Sequence, residues 1–328
     1  MSDALINTLA SVVANATPLV IAGLGETINE RAGVINLSLD GSLALSAMFG
    51  FVAAQASGNL VVGLLAAAIT GAIIALIVAV AGIELRQDQV AIGFVLTLLC
   101  ADLAQFLGQS VAHTRPVVEM LNVPIPILSN IPVVGTILFN QDIMVYFSYI
   151  LIFGTWYVLF HTRIGLAHRA VGERPEAAFA RGTNVNRLRY VCTAIGGALV
   201  GIAGAAYSLG TKPGWTNPPV MQGDGWIALA IVIFGGWHPF RVVLGAYLFS
   251  GLRALSSAIQ RTPSLNIPLV LLNGLPWVLM ILTLVLVSSG VIERLLSVLP
   301  RPLQKWTRNF LRSDPPAALG TRFDPEAK

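Results

Sequence analysis

The chain has 328 residues, of which 55% are hydrophobic and 11% charged, with a formal net charge of +4. Ordinary soluble domains carry about 25% charged residues, so the composition excludes a soluble enzyme and points to an integral membrane protein. The basic excess is a topology signal, because Lys and Arg collect in loops between apolar stretches, and it gives no support to nucleic-acid binding.

Windows of about 20 apolar residues recur along nearly the whole length, as a bilayer core ~30 Å thick requires. They are continuous, as in "LVVGLLAAAITGAIIALIVAVAG", which selects helices over the alternating strands of a barrel. The fold class is therefore all-α and polytopic, with about nine spans at 5–24, 42–56, 60–82, 90–110, 143–161, 190–210, 222–238, 242–259 and 268–292. The opening "MSDALINTLA" has an Asp and no basic segment, so the first span is expected to stay as a helix and not to be removed as a signal peptide. Cys100 and Cys192 fall in apolar spans and read as small packing residues.

After the first span comes "GETINERAGVINLSLDG", which puts Glu26, Glu30, Arg31 and Asp40 between two apolar stretches. A charge at the bilayer centre costs about 2.5–3.5 kcal/mol on insertion scales, so the four cannot all be deep and unpaired. Two arrangements are open. In one, an interrupted hydrophobic hairpin holds Glu30 and Arg31 at the cytoplasmic edge and turns Glu26 and the Asn36–Asp40 segment toward a watery cavity. In the other, the stretch is a cytoplasmic turn, with Asp40 capping the next helix.

Gly63, Ala67, Gly71, Ala75 and Ala79 place a small residue at every fourth position of the third span, and Gly197, Gly201, Gly204 and Ala205 make a similar face later. Such stripes let helices approach closely, either within one subunit or at a dimer seam. The segment 111–142 has Arg115 as its one basic residue and is expected outside.

By contrast, the loop 162–189 holds Arg163, Arg169, Arg174, Arg181, Arg187 and Arg189 and is expected in the cytoplasm. It contains a short helix with its own punctuation: Pro175 suits the first helical position, Glu176 the positive end of the dipole, and Gly182 the residue past the end. A helix under about 12 residues is marginal alone in water, so its Ala177, Ala178, Phe179 and Ala180 must rest on a partner groove or on the protein and headgroups nearby. Farther on, Trp215, Asn217 and Trp226 flank the Pro- and Gly-rich "TKPGWTNPPVMQGDGW". Their rings could stack on a solute or anchor the chain at the interface.

The tail carries Arg294, Arg301, Lys305, Arg308, Arg312, Arg322 and Lys328 and is also expected inside. Four spans separate the two basic regions, so both lie on one side; counting back through five spans puts the N-terminus outside. The organisation is thus a transmembrane domain over 1–293, with a loop at 162–189, and a basic cytoplasmic tail over 294–328.

"RAVGERPEAAFARGTNVNRLRY" followed by "GGALVGIAGAAYSLG" resembles the coupling-helix region of permease subunits in bacterial ABC importers of the ribose and branched-chain amino acid group. "ETINERAGVINLSLDG", "GWIALAIVIFGGWHPFRVVLGAYLFSG" and "PPAALGTRFDPE" are most similar to the shorter permease of nucleoside or simple-sugar importers. Two departures bear on the solute: Asn36 stands where sugar permeases tend to have an acid, and Asp40 where nucleoside-type members more often have Glu.

The resemblance implies an inner-membrane subunit that works with an ATP-binding cassette subunit, a second and longer permease, and an extracytoplasmic binding lipoprotein. ATP and magnesium would belong to the cassette subunit; no GxxxxGK[ST] phosphate loop occurs in this chain, and its four histidines lack metal-site spacing. Coupling to the ATPase would fall to Gly172, Glu173, Arg174, Pro175, Glu176, Ala177, Ala178 and Gly182; the pathway candidates, Glu26, Asn36, Asp40, Trp215, Asn217 and Trp226, come from the charges and rings noted above and not from the resemblance. A simple-sugar permease is the alternative reading. A more distant one is an ion-coupled carrier, for which Asp102 is the main intramembrane acid outside the 25–41 stretch.

Overall fold

A computed structural model describes residues 3–260 and 315–324, with Gly274, Trp277, Val278, Ile281 and Leu282. The helices are α1 (Asp3–Arg31), α2 (Leu39–Ser57), α3 (Leu60–Ile83), α4 (Gln89–Leu107), α5 (Val134–Leu138), α6 (Ile143–His161), α7 (Arg163–Glu173), α8 (Pro175–Ala180), α9 (Val185–Ala206), α10 (Asp224–Phe234) and α11 (Pro239–Gln260). Among the described residues seven helices are long and apolar enough to cross a membrane: α1, α2, α3, α4, α6, α9 and α11.

The all-α, multi-pass membrane fold is as expected, but the span at 222–238 is not. Its helix α10 has 11 residues, and at ~1.5 Å per residue it reaches about half of a ~30 Å bilayer core. Gly235, positive φ at Gly236 and Trp237, and Pro239 at the start of α11 end it early. The expected ninth span, 268–292, lies largely outside the described residues.

The small-residue stripes pack against each other inside this one chain. A Cβ on Gly71 would lie 2.2 Å from the carbonyl oxygen of Gly197, and one on Gly201 would lie 2.1 Å from that of Ala67. Helices α3 and α9 thus meet backbone to backbone, the packing that small residues permit where the hydrophobic effect between helices is absent. Around them α1, α2, α10 and α11 close a core that includes Leu19, Leu24, Leu39, Val200, Ile227 and Val242.

Segment 111–142 folds into a cap. Strands β1 (Asn122–Pro124) and β2 (Asn140–Asp142) pair antiparallel, with Val123 opposite Gln141, and α5 lies between them. The Gln141 amide donates to the Ala10 carbonyl at 3.1 Å, which ties the cap to the N-terminal part of α1. The bundle therefore has two distinct ends. α1 runs from the cap to Arg31, whose carbonyl meets Gly172 of α7, and α9 runs the opposite way, from α8 back to the cap end.

Candidate functional site

At the cap end a cavity of about 580 Å³ lies between Thr8, Ser11 and Asn15 of α1, Tyr207 and Thr211 at the end of α9, and Ser250 and Arg253 of α11, with Asp224 in its wall. Local sequence explains how the acid reaches it. Gly223, at φ +89°, ends the preceding turn, and Asp224 begins α10. Asp40 of α2 secures that start: its Oδ1 accepts from the backbone N–H of Gly223 at 2.8 Å and of Gly225 at 3.0 Å. Gly225 permits the close approach, since a Cβ there would lie 2.3 Å from the Cα of Asp40.

The last turn of α9 widens into a π turn, Tyr207–Thr211, a distortion common at functional sites. It brings the Tyr207 hydroxyl to donate to Asp224 Oδ2 at 2.6 Å. Arg253 grips the same carboxylate with two nitrogens, Nη1 to Oδ2 at 3.0 Å and Nη2 to Oδ1. Its guanidinium also lies over the Phe249 ring, 4.7 Å from the centroid. The carboxylate is buried, with 1% of the Asp224 side chain exposed, while 42% of the Arg253 side chain is open. A planar donor is thus held rigidly, with its charge balanced, at the cavity wall.

None of the six pathway residues expected from sequence lines this cavity. Glu26 and Asn36 are buried together at the other end of α1: Glu26 accepts from the Asn29 amide at 2.9 Å and from the Asn36 backbone N–H at 3.3 Å. Asn36 Oδ1 in turn accepts from the Ser38 hydroxyl at 2.6 Å. Glu30 accepts from the Trp237 indole N–H, and Arg31 donates to the Trp237 carbonyl at 2.6 Å. Segment 25–41 does not reach this cavity. It is a buried polar joint in which α1 continues through Arg31, and Asp40 caps α10 in place of its own helix. Trp215 is buried against Gly108, Asn217 is exposed, and Trp226 packs on Phe94 with ring centroids 6.2 Å apart.

At the opposite end, loop 162–189 contains one helix more than expected. Thr162 caps α7, accepting from the Gly165 N–H at 3.0 Å, and His168 Nε2 donates to the Ile28 carbonyl at 2.8 Å. The short helix α8 has the expected punctuation, with Pro175 in its first turn and Gly182 at φ +85° beyond its end. Its faces divide: Pro175 and Ala178 point inward, Ala178 packing with Val171 and Val185, while Glu176, Ala177, Phe179 and Ala180 face out. Gly172 is also inward, with Glu173 and Arg174 exposed.

The tail segment 315–324 returns to this end as a strap. The Ala318 N–H donates to the Gly172 carbonyl at 2.8 Å and the Gly320 N–H to the Gly33 carbonyl at 3.0 Å. The buried Arg189 donates to the Thr321 carbonyl at 3.0 Å and to the Ala32 carbonyl at 3.2 Å. Asp324 pairs with Arg86 at 2.7 Å.

Sequence reasoning missed Asp224, Arg253 and Tyr207. A signal existed for Arg253, a charge inside the apolar run 242–259; Asp224 shows only as an acid between two glycines.

A multi-pass helical bundle with a polar cavity at one end and short amphipathic helices presented at the other is the architecture of a membrane permease. The family model described as the branched-chain amino acid transport system / permease component matches residues 8–288, and the chain belongs to this family. Similar proteins include the putative glucose ABC transporter permease protein TsgC13 of Haloferax volcanii, 38% identical over 80% of this chain and 79% of that protein. The nucleoside ABC transporter permease protein NupC of Lactococcus lactis subsp. cremoris is 35% identical over 86% and 93%. The guanosine ABC transporter permease protein NupQ of Bacillus subtilis is 36% identical over 82% and 88%. No solved structure matches.

Proposed function

We propose that the chain is the membrane-spanning subunit of an ATP-driven importer of the bacterial inner membrane that passes a nucleoside, with simple sugars as the second reading. The NupC and NupQ names and the TsgC13 name support these two solute classes respectively. The observation that carries the reading is the connection between the two ends. Helices α1 and α9 each run from the polar cavity to the α7–α8 region, so a push on α8 reaches the cavity walls at Asn15 and Tyr207 through rigid, backbone-packed elements.

In this reading the exposed side of α8 meets a separate ATP-binding cassette subunit, which holds ATP and magnesium. An extracytoplasmic binding lipoprotein delivers the solute at the cap end, and a second, longer permease completes the pathway. The chain itself catalyses no reaction. The N-terminus faces outside and the C-terminus the cytoplasm, as the positive charge of 162–189 and of the tail supports.

The test is uptake by the reconstituted assembly in vesicles. ATP-dependent accumulation of labelled nucleoside that survives collapse of the proton and sodium gradients is expected. Uptake that continues without ATP and stops when a gradient is removed would replace this reading with an ion-coupled carrier. Asp102 is exposed on the outer face of α4, away from the cavity, which gives the carrier reading no support.

A further inference from the structure

We propose that the cavity at the cap end is the solute subsite of this permease and that it recognises a nucleoside by its base. The proposal rests on the permease reading above and specifies its solute. The volume, about 580 Å³, lies within the range of about 300–1,000 Å³ that accommodates small organic ligands. Its walls divide by chemistry. On one side the edge of α1 offers Thr8, Ser11 and Asn15; the two hydroxyls and the Asn15 amide donate to the Ala4, Thr8 and Ser11 carbonyls of their own helix at 2.8, 2.7 and 2.7 Å, so their oxygens are left as acceptors. Arg253 and Trp277 line the same cavity, and each contacts Phe249: the guanidinium is 4.7 Å from that ring's centroid and the indole 6.4 Å, edge to face.

Trp277 is 37% exposed and lines the cavity. It offers a flat apolar surface in the cavity that Arg253 also lines; Asp224 takes one N–H from each of two guanidinium nitrogens and holds the group in place, which leaves the other N–H groups of the same plane as donors. A heteroaromatic base suits both groups, its face on the indole and an acceptor on its edge toward the guanidinium N–H groups that Asp224 leaves unused. The ribose hydroxyls then meet the α1 side. A hexose or pentose alone could use the α1 groups but has no planar acceptor edge for Arg253. Because Asp224 already balances Arg253, a neutral solute leaves no buried charge unpaired.

The subsite can be tested without transport. Cys100 and Cys192 are buried, so a cysteine introduced by Asn15→Cys is the reactive thiol exposed at the cavity. Its modification rate by a charged methanethiosulfonate reagent would be followed in the purified assembly with millimolar inosine, uridine, ribose or glucose. The expected result is at least a threefold slowing by inosine and uridine and none by ribose or glucose. Trp277→Leu should remove the protection, Trp277→Phe should keep most of it, and Arg253→Lys, which keeps the charge but loses the fork, should weaken it about tenfold in half-protecting concentration. Protection by glucose equal to that by inosine would assign the cavity to sugars and overturn the proposal, as would absence of protection by either nucleoside. Since labelling needs no ATP, these outcomes are separate from a failure of ATP-dependent uptake, which would strike at the importer reading instead.

Discussion

The ring of Phe323, in the returning tail, packs on the ring of Phe179, on the outward side of α8, with centroids 5.5 Å apart and planes at 58°. A groove of about 610 Å³ beside the pair is bounded by Gly182, Thr183, Asn184, Val185 and Asn186. The tail is therefore joined to the surface that α8 presents, in addition to holding Gly33, Gly172 and Arg189 through backbone bonds.

Replacing Phe323 by Ala removes one aromatic pair, worth about 0.5–1.5 kcal/mol, and leaves the backbone bonds of Ala318 and Gly320 in place. The variant is expected to insert and purify normally, with a thermal midpoint close to that of the parent. The response of the ATPase to loaded binding protein should fall severalfold, because α8 loses its lateral support. Measuring hydrolysis with and without loaded binding protein checks this; undiminished stimulation would place the tail outside the transmission path.

Gly182 is the second point on the same helix. A Cβ there would meet nothing within 4 Å, so the effect of a substitution comes from φ +85° and not from a clash. Left-handed backbone costs a Cβ-bearing residue roughly 1–2 kcal/mol, less for Asn and more for a β-branched residue. Gly182→Asn should therefore be nearly silent, Gly182→Ala mild and Gly182→Val severe in ATPase stimulation. Equal effects of all three would show that the position acts through something other than its backbone. Ala178 points inward, 4% exposed against Val171 and Val185, so Ala178→Glu does not report on docking. It would disturb the seating of α8 on its own protein, whereas Ala177→Glu probes the outward face and is the substitution to use for docking.

Features written as local periods were legible in the sequence, and features made by distant pairing were not. The Gly63–Ala79 stripe repeats every fourth residue, so its close packing could be read directly, and Pro175 and Gly182 mark α8 because capping chemistry is local. Helix α7 was missed because "RIGLAHRAVGE" is too polar to stand out as a span, although Thr162 and Gly165 already form its cap. The run 225–237 has no charged side chain, and hydropathy alone cannot see that Gly235 and Gly236 stop the helix. Asp224 and Arg253 lie 29 residues apart, Asp40 and Gly223 183, and Arg86 and Asp324 238. No periodicity within a helix connects such pairs, so the cavity and the strap required the fold. The expectation for the chain's class survived because composition alone decides whether a segment can lie in a bilayer.

The seating of α7 should depend on pH. His168 lies outside the spans, is 4% exposed, and faces Arg31 and Arg169; burial first, and then these two guanidinium groups, lower its pKa from 6.5 to about 4. Between those values the unfolded chain binds a proton that the folded one does not, so stability is complete above about 6.5 and declines as pH falls toward 4. At about 1.4 kcal/mol per pKa unit the upper bound is on the order of 3 kcal/mol. His168→Gln keeps a donor for the Ile28 carbonyl but cannot titrate in this range. It should flatten the dependence of the thermal midpoint on pH between 4 and 6.5; a midpoint equally pH-dependent in the variant would mean that other groups set the profile.

Asp40 offers the most specific test of how the cavity is held. Its Oδ1 accepts both backbone N–H groups at the start of α10, so the function of the side chain there is to supply one acceptor oxygen at a helix N-terminus. Asp40→Asn retains such an oxygen and loses only the charge, with an expected cost of about 1 kcal/mol or less from the helix dipole. Asp40→Ala leaves two N–H donors without a partner against packed backbone, since Gly225 approaches Asp40 too closely for a larger group to take its place. Loss of a helix cap costs about 0.5–2 kcal/mol, and here it also frees the residue that fixes Arg253. Uptake by Asp40→Ala should fall by an order of magnitude or more while membrane insertion is unchanged, and Asp40→Asn should keep most of the activity. If Asn and Ala prove equally damaging, the negative charge itself is required, and the pathway assignment of Asp40 made from sequence would replace the capping role seen in the structure.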